Sequence, residues 1–432
     1  MKKILIYILL ISIALAMLMY SCSTTKKVAP TYKNVAFLYN PALSKIHPDL
    51  FIYHSSDTLS LLFFKINVNE MYFNKEKSDK NIVERAKIKV SYRLMSSFGQ
   101  NAIVDSSSVI YAIDKENLGT VFASFIAIKV ADSMKYSLEV NIQDLQQYKR
   151  SQTFLQIDKQ TKNKRQNFML LSKEFDEPIY ENHLKPEEEF KIISDRNNKK
   201  SKLYVDYYSS SFELPPPPFS LADGKMAQVK SDSTWILNYN TNNGVYFSLN
   251  YKGIYHFRFD TTQTDGFTLF NRGENFPNMK TPQELIVPLK YLNTNKGYKD
   301  LEFIPSNKQA IDDFWLKTTG NLDRAKELIR VYYSRLLFAN FYFSSYNEGW
   351  KTDRGMIYTL MGAPSIIYKS ETAERWMYSE NTNLASFSFL FTREKNPFTD
   401  NDFVLNRSEI YKDNWYQAVD SWRNGRVFSI GN

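Results

Sequence analysis

Apolar and polar residues alternate along the first two-thirds of the chain, with the period of two that half-buried β-strands show. In residues 36–160 the clearest alternating runs are 59–68, 86–94 and 136–145. Short strands separated by polar turns predict an antiparallel, β-sandwich-like domain. The same pattern over residues 167–300 predicts a second β-rich domain.

Four consecutive prolines, Pro215 to Pro218, interrupt the second β-rich region. Proline has no backbone N–H to donate, so this stretch does not fit a central strand. The segment is predicted to be a rigid spacer that marks a joint, and a docking ligand for a proline-binding partner is the alternative.

Near Ser306 the apolar period changes from two to 3.6, which is typical of helices. Ser306 can cap one helix that ends at Gly320, and Asn321 can cap a second helix that continues to about Phe338. These two segments predict an amphipathic helical hairpin that packs its apolar side on another part of the protein.

A short helix with clear ends follows the hairpin. Thr352 is placed to cap it, and Asp353 puts a carboxylate at the positive end of the helix dipole. Gly362 ends the helix, and Pro364 prevents its continuation. The sequence therefore predicts one short capped helix between these residues.

Gly355 and Arg354, both inside this helix, predict contacts with other parts of the protein. Gly355 costs a helix about 1 kcal/mol relative to alanine, which predicts close approach of a neighbouring backbone or of the Trp350 ring. Arg354 can donate a bidentate pair to a carboxylate elsewhere in the same domain.

Alternating runs over 365–368, 375–378 and 384–391 predict a small antiparallel sheet, and residues 411–422 predict a last helix. Residues 306–432 therefore predict an α+β domain with a helical hairpin, a short capped helix and a small sheet. The fold class predicted for the whole chain is multidomain, mainly β in the N-terminal two-thirds and α+β at the C-terminus.

The N-terminal residues indicate where the protein is located. Residues 1–3 carry two lysines, and residues 4–19 form an apolar run on the short side of the roughly 20 residues that span a bilayer. The run ends at Ser21 and Cys22, the only cysteine. This junction resembles the lipobox of bacterial lipoproteins, with Met19 where leucine is usual. The resemblance implies a signal peptide over residues 1–21 and lipidation at Cys22.

Residues 22–35 are mostly polar and predict a flexible tether between the lipid and the first domain. Acyl chains on Cys22 would hold the protein at a membrane without a spanning helix, since each buried methylene contributes about 0.8 kcal/mol. The tether lacks the acidic residues often found after the cysteine in surface-exported Bacteroidetes-type lipoproteins. By resemblance, this favours the periplasmic face of the outer membrane.

The net charge of +9 does not change the predicted location or partners. Basic runs such as residues 162–165 and 196–200 fit solvated loops, and an exported protein rarely meets nucleic acid. The predicted partners are the membrane, through the lipid, and other envelope proteins. The sequence predicts no nucleic-acid partner and leaves any small-molecule ligand unknown.

The sequence has no recognisable catalytic constellation. His47, His54, His183 and His256 are scattered, and nucleophile elbows, His-Glu-x-x-His motifs and phosphate-binding glycine loops are missing from the sequence. We therefore predict no catalytic residue, no metal site and no cofactor.

Carboxylates near Asp353 leave an alternative open, because glycosidases need only two acidic side chains from distant positions. Glu348, Glu371 and Glu374 could line a cleft with Asp353 in a periplasmic hydrolase of glycan or peptidoglycan. The simpler interpretation is that Asp353 is a helix-cap charge and Glu374 a surface residue of a strand.

Aromatic residues around the short helix allow two interpretations. Trp350, Tyr358, Trp376 and Tyr378 could form an exposed platform, as in a carbohydrate-binding module, or fill the core. The core is favoured because a small α+β unit needs the large apolar area that these side chains bury.

The segment around Trp350 resembles the signature of the GWxTD-domain family, whose members are mostly envelope lipoproteins of Bacteroidetes without an assigned activity. The resemblance covers roughly residues 306–432 and implies location and architecture rather than chemistry. The residues that carry it are Gly349, Trp350, Thr352, Asp353, Arg354, Gly355, Tyr358, Gly362 and Pro364.

A looser likeness involves Gly362, Pro364, Trp376 and Tyr378. A helix that ends in Gly-x-Pro before a strand with Trp-x-Tyr is similar to small outer-membrane assembly lipoproteins of the SmpA/OmlA type. Those proteins use their sheet to contact partners, which is an analogy of fold. Together, these observations predict a membrane-anchored envelope scaffold or partner-binding protein without enzymatic activity.

Overall fold

The computed structural model describes residues 33–77, 82–99, 102–197, 200–209, 212–222, 230–240, 243–378 and 387–429. The predicted signal peptide, residues 1–21, and Cys22 lie outside these residues. Among the described residues, no helix has the length and apolarity to cross a membrane.

The first β-rich region has two antiparallel sheets that face each other across a core. Its strands are β1 (Asp49–Tyr53), β2 (Leu59–Asn67), β3 (Asn74–Lys77), β4 (Ile82–Met95), β5 (Ile103–Asp114), β6 (Val121–Lys129), β7 (Lys135–Asp144) and β8 (Arg150–Asp158). One sheet has the order β1-β2-β6 and the other β3-β4-β7-β8, with β5 also paired to β4. Alternate residues of β2 and β4 are buried, including Leu62, Phe64, Ile88 and Val90. The strand pattern predicted from the sequence is confirmed here.

The second β-rich region has a separate core between two more antiparallel sheets. Its strands are β9 (Met169–Ser172), β10 (Glu189–Ile193), β11 (Lys202–Tyr208), β12 (Ser233–Asn238), β13 (Val245–Ser248), β14 (Gly253–Arg258) and β15 (Phe267–Asn271). The sheet orders are β13-β10-β9 and β12-β11-β14-β15. Phe190, Val205 and Phe257 are among the fully buried residues of this core.

The C-terminal region combines helices with a four-stranded antiparallel sheet of order β16-β17-β18-β19. Its elements are α1 (Pro282–Ile286), α2 (Asn295–Glu302), α3 (Asn307–Thr319), α4 (Leu322–Phe343), α5 (Asp353–Met361), β16 (Ile366–Lys369), β17 (Ala373–Tyr378), β18 (Phe387–Arg393), β19 (Phe403–Leu405) and α6 (Lys412–Arg423). The predicted fold class, mainly β with a C-terminal α+β region, is confirmed. The sequence pattern did not indicate α1, α2 or β19.

The helical hairpin has the predicted caps, but α4 continues to Phe343, beyond the predicted end near Phe338. Ser306 caps α3 by accepting a hydrogen bond from the Gln309 N–H, and Gly320 ends this helix with φ of 64°. Asn321 caps α4 by accepting from the Asp323 and Arg324 N–H groups. Local side-chain capping thus explains why the apolar pattern stops at these positions.

Residues 34–39, which we call the N-terminal strap, pack into the C-terminal core. The Val35 N–H donates to the Ile367 carbonyl over 2.9 Å, and Val35 and Tyr39 are buried. The sequence pattern grouped these residues with the tether and the first β-rich region. They lie elsewhere because β16 offers them hydrogen bonds and the C-terminal core takes up their apolar side chains.

The tetraproline segment contacts the same C-terminal region. The Pro216 carbonyl accepts from Nη2 of Arg407 over 3.2 Å, and the Pro218 carbonyl accepts from the Ser408 N–H over 3.1 Å. A polyproline segment makes no internal hydrogen bonds, so its carbonyls are available for such contacts.

Candidate functional site

The signature segment forms a tight turn followed by α5. Residues Gly349–Lys351 make one 3₁₀ turn, and Thr352 then caps α5 by accepting a hydrogen bond from the Gly355 N–H over 3.1 Å. The Thr352 hydroxyl also donates to the Gly349 carbonyl over 2.7 Å. One hydroxyl therefore fixes both the turn and the start of the helix, as the predicted cap requires.

Gly349 and Gly355 are both needed for close backbone packing. A Cβ added at Gly355 would lie 1.9 Å from the Gly349 carbonyl oxygen. A Cβ added at Gly349 would lie 2.0 Å from the Ala339 carbonyl oxygen of α4. The backbones of α4, the turn and α5 thus stack directly, and the close backbone approach predicted at Gly355 is confirmed.

Trp350 points into the protein and is only 2% exposed. Its indole N–H donates to the Glu348 carboxylate over 2.8 Å, and its carbonyl accepts from the Tyr291 hydroxyl over 2.9 Å. Its backbone N–H donates to the Asn340 side chain over 3.2 Å. The polar atoms of Trp350 are therefore used inside the C-terminal region.

Asp353 forms a buried ion pair with Arg407, whose guanidinium donates to both carboxylate oxygens. The carboxylate also accepts from the Leu405 N–H of β19 over 2.8 Å. Burial raises the pKa of Asp353, whereas the charge of Arg407 acts in the opposite direction. Asp353 thus joins the start of α5 to β19, a larger role than the predicted helix-cap charge.

Arg354 and Glu374 form the second buried ion pair of the segment. Nη1 of Arg354 lies 3.2 Å from Oε1 of Glu374, and neither side chain is more than 1% exposed. Nη2 of Arg354 donates instead to the carbonyl and side-chain oxygens of Asn401. The predicted carboxylate partner of Arg354 exists, but the contact is made through one nitrogen and not two.

The Glu374 carboxylate accepts hydrogen bonds from three further donors. Lys369 donates to Oε1 over 2.7 Å, the Tyr39 hydroxyl donates to Oε1 over 2.8 Å, and the Trp376 indole donates to Oε2 over 3.0 Å. Burial acts to raise the pKa of Glu374, but the positive charges of Lys369 and Arg354 outweigh it and lower this pKa to about 2. The prediction that Glu374 is a surface residue is wrong, because these donors compensate its complete burial.

The remaining signature residues complete the same buried unit. The Tyr358 hydroxyl donates to the Tyr39 carbonyl over 3.1 Å, and the Gly362 carbonyl accepts from the Tyr378 hydroxyl over 3.0 Å. Gly362 has φ of 83°, which suits the end of α5, and Pro364 is buried behind it. Tyr358 and Tyr378 are each 3% exposed.

Other candidate residues lie apart from this unit or on its outside. Glu371 is exposed between β16 and β17. His54 and His256 are buried in the β-rich regions, and His47 is exposed and paired with Glu70. Among the described residues, no group of three histidine, aspartate or glutamate side chains is placed to hold a metal ion.

Sequence reasoning missed Tyr39, Lys369, Asn401 and Arg407. Tyr39, Asn401 and Arg407 contact the signature segment from distant parts of the chain, and Tyr39 is 335 positions away from Glu374. Lys369 is nearer in sequence and contacts Glu374 from β16. No local pattern marks such partners. The only available signal was the presence of two adjacent unpaired charges, Asp353 and Arg354, on an otherwise apolar helix.

Residues 253–424 match the GWxTD domain family. The C-terminal part of this chain is a GWxTD domain. The match begins earlier than the resemblance indicated, since it includes β14 and β15, and it excludes the N-terminal strap. No curated protein matches the chain.

Proposed function

We propose that the chain is a lipid-anchored envelope protein that acts as a scaffold or partner-binding component and carries out no reaction. The main support is the inward orientation of the GWxTD signature. Trp350, Asp353 and Arg354 are each at most 5% exposed, and each is hydrogen-bonded to partners within the protein. Folding alone therefore accounts for the signature.

The anchored state rests on the N-terminal residues. A charged start, an apolar run of signal-peptide length and Ser21 before Cys22 support export followed by acylation. The periplasmic face of the outer membrane is the location we propose, on the composition of the tether that follows Cys22.

A hydrolase that uses Asp353 and Glu374 finds less support. Asp353 is held by the Arg407 guanidinium, and Glu374 by Lys369 and Arg354, so each carboxylate already has a fixed cationic partner. A general acid needs a raised pKa and access to the substrate, and burial denies both carboxylates that access. A sugar platform built from Trp350, Trp376, Tyr358 and Tyr378 is unsupported as well, because each of these residues is at most 3% exposed.

The anchor is tested by fractionating cells that express the full-length protein and by mass spectrometry of its mature N-terminus. We expect an acylated N-terminal Cys22 in the membrane fraction. Cys22→Ser should abolish acylation and processing at residue 22, whereas the control Ser23→Ala should retain both. A wild-type protein with an unmodified thiol at Cys22 would refute the anchor.

The scaffold role is tested by chemical crosslinking in intact cells, followed by purification of the full-length protein. We expect an envelope protein to be crosslinked through exposed side chains, and the folded control Glu371→Gln to retain it. Release of product from purified peptidoglycan or glycans by the wild-type protein would instead support the hydrolase.

A further inference from the structure

Strand β5 is exposed to an unusual degree for a strand of a sandwich. Ile103, Val104, Val109 and Ile110 are 50%, 55%, 37% and 59% exposed. Scattered surface apolar residues are ordinary, but β5 carries four, in two pairs separated by Asp105 to Ser108.

The outer edge of β5 is also open. Its residues pair with β4 from Arg85↔Asp114 to Leu94↔Asp105, and among the described residues no other strand pairs with it. A bulge next to Leu94 sets residues 103–104 apart from this regular run. Along residues 105–114, alternate backbone N–H and C=O groups therefore face away from the sheet, ready to pair with another strand.

Beyond the bulge, β5 lacks the residues that usually protect an edge strand. Its sequence has no lysine, arginine, proline or glycine, the residues that commonly discourage edge pairing. Its two acidic residues have partners on β4: Asp105 accepts from the Tyr92 hydroxyl over 2.7 Å, and Asp114 pairs with Arg85 over 2.5 Å. By contrast, the end strand β3 carries Lys75 and Lys77.

We infer that β5 pairs antiparallel with β5 of a second copy of this chain, which joins the two β4-containing sheets into one. A two-fold axis places a segment against itself, so like charges at its centre would repel. Residues 106–109, at the middle of the strand, are uncharged.

The sequence of β5 is complementary to itself around Ser107. With the axis at Ser107, Ser106 lies opposite Ser108 of the second copy, Asp105 opposite Val109, and Val104 opposite Ile110. This register brings Val104, next to the bulge, beside Ile110 of the other copy and sets no two carboxylates against each other. Main-chain hydrogen bonds supply the affinity, and the side-chain pairs supply the register.

The pairing is tested by disulfide crosslinking of the full-length protein in membranes, since Cys22 is the only natural cysteine. Single variants Ser106→Cys, Ser107→Cys and Ser108→Cys are oxidised and separated without reductant. We expect a band at twice the monomer mass, strongest for Ser107→Cys, which faces itself across the axis. The control Ser233→Cys, exposed on β12, should give none.

Oxidation of the parent protein, which has no added cysteine, distinguishes a failure of this inference from a failure of the proposed lipid anchor. A dimer band in the parent would show that Cys22 is a free thiol, and it would refute the anchor without bearing on β5. A Ser107→Cys protein that stays monomeric on oxidation, or that crosslinks no better than Ser233→Cys, refutes the pairing. So does a crosslink of Ser107→Cys to a different protein.

A second variant tests the edge without a disulfide. Ile110→Lys places an ammonium group against Val104 of the other copy and should lower the crosslinked fraction of Ser107→Cys by about tenfold or more. The matched control is Ile236→Lys on β12, where Ile236 is 58% exposed against 59% for Ile110. Circular dichroism verifies that both variants fold, and an unchanged crosslinked fraction in Ile110→Lys overturns the inference.

Discussion

Gly355 lies so close to Gly349 that a Cβ on Gly355 would sit 1.9 Å from the Gly349 carbonyl oxygen. Real Cβ atoms essentially never approach an oxygen to that distance, so α5 can stack on the turn only because residue 355 is glycine, and the turn can stack on α4 only because residue 349 is glycine. The signature of the GWxTD domain is in this respect a packing motif. The lack of a side chain at its glycines is as important for packing as the side chains of Trp350 and Asp353.

Gly355→Ala should therefore destabilise the domain, although alanine is the better helix former. The added methyl forces α5 away from the turn, and we expect a loss of about 3 kcal/mol or more in the free energy of unfolding, measured with urea. Gly297→Ala in α2 is the control, since its Cβ would have no neighbour nearer than 3.4 Å. That variant should be up to about 1 kcal/mol more stable than wild type. Equal effects from both substitutions would contradict the packing role.

Glu374→Gln removes a charge from the centre of the buried cluster and leaves Arg354 and Lys369 uncompensated. We expect a loss of about 3 to 5 kcal/mol at neutral pH. Because the pKa of Glu374 is lowered in the folded state, its contribution is present above about pH 4.5 and is lost as the pH falls towards 2. The control Glu371→Gln is exposed and should change stability by less than about 0.5 kcal/mol. A mild effect of Glu374→Gln would show that the cations are solvated.

Tyr39→Phe tests whether the N-terminal strap belongs energetically to the GWxTD domain. It removes the hydroxyl that donates to Glu374 over 2.8 Å, and a hydrogen bond to a charged group contributes about 1.5 to 3 kcal/mol. Faster hydrogen exchange at β16 and β17 should accompany the loss. Tyr148→Phe is the control, because Tyr148 is 79% exposed. Unchanged exchange in Tyr39→Phe would mean that the strap docks without stabilising the sheet.

Acidification should weaken the β-rich regions at pH values at which Glu374 is still charged. Burial lowers the pKa of His54 and of His256 to about 4. These residues stay neutral in the folded protein but protonate near pH 6.5 when unfolded, so stability is full above pH 6.5 and declines as the pH falls towards 4. Each histidine accounts for up to about 3 kcal/mol of this decline. Urea unfolding at pH 7 and pH 5 measures it.

His54→Gln should make that decline smaller, because glutamine does not titrate, although His256 still does. His47→Gln is the matched control: the His47 side chain is 54% exposed, and this variant should keep the wild-type decline. If His54→Gln follows the wild-type pH dependence, His54 is not a source of the decline.

The features of this site that depend on residues close together in the sequence could be predicted. The helix caps at Ser306, Asn321 and Thr352 depend on neighbours within three residues, and the backbone contact at Gly355 follows from the cost of glycine in a helix. Glu374 was misjudged because alternation within β17 does not reveal which cations other segments supply. Arg407 and Tyr39 escaped notice for the same reason, since a pairing over long sequence separation leaves no periodic signal.

The position of the N-terminal strap in the sequence also affects the order in which parts of the chain can fold during synthesis. Tyr39 is made early, but Glu374, its hydrogen-bond partner, follows 335 positions later. At a synthesis rate of about 5 to 20 residues per second, this delay is roughly 20 to 70 seconds. During that time the β-rich regions can fold before the strap finds its partners, so the strap emerges before the β-rich regions but becomes protected from proteases and chaperones after them.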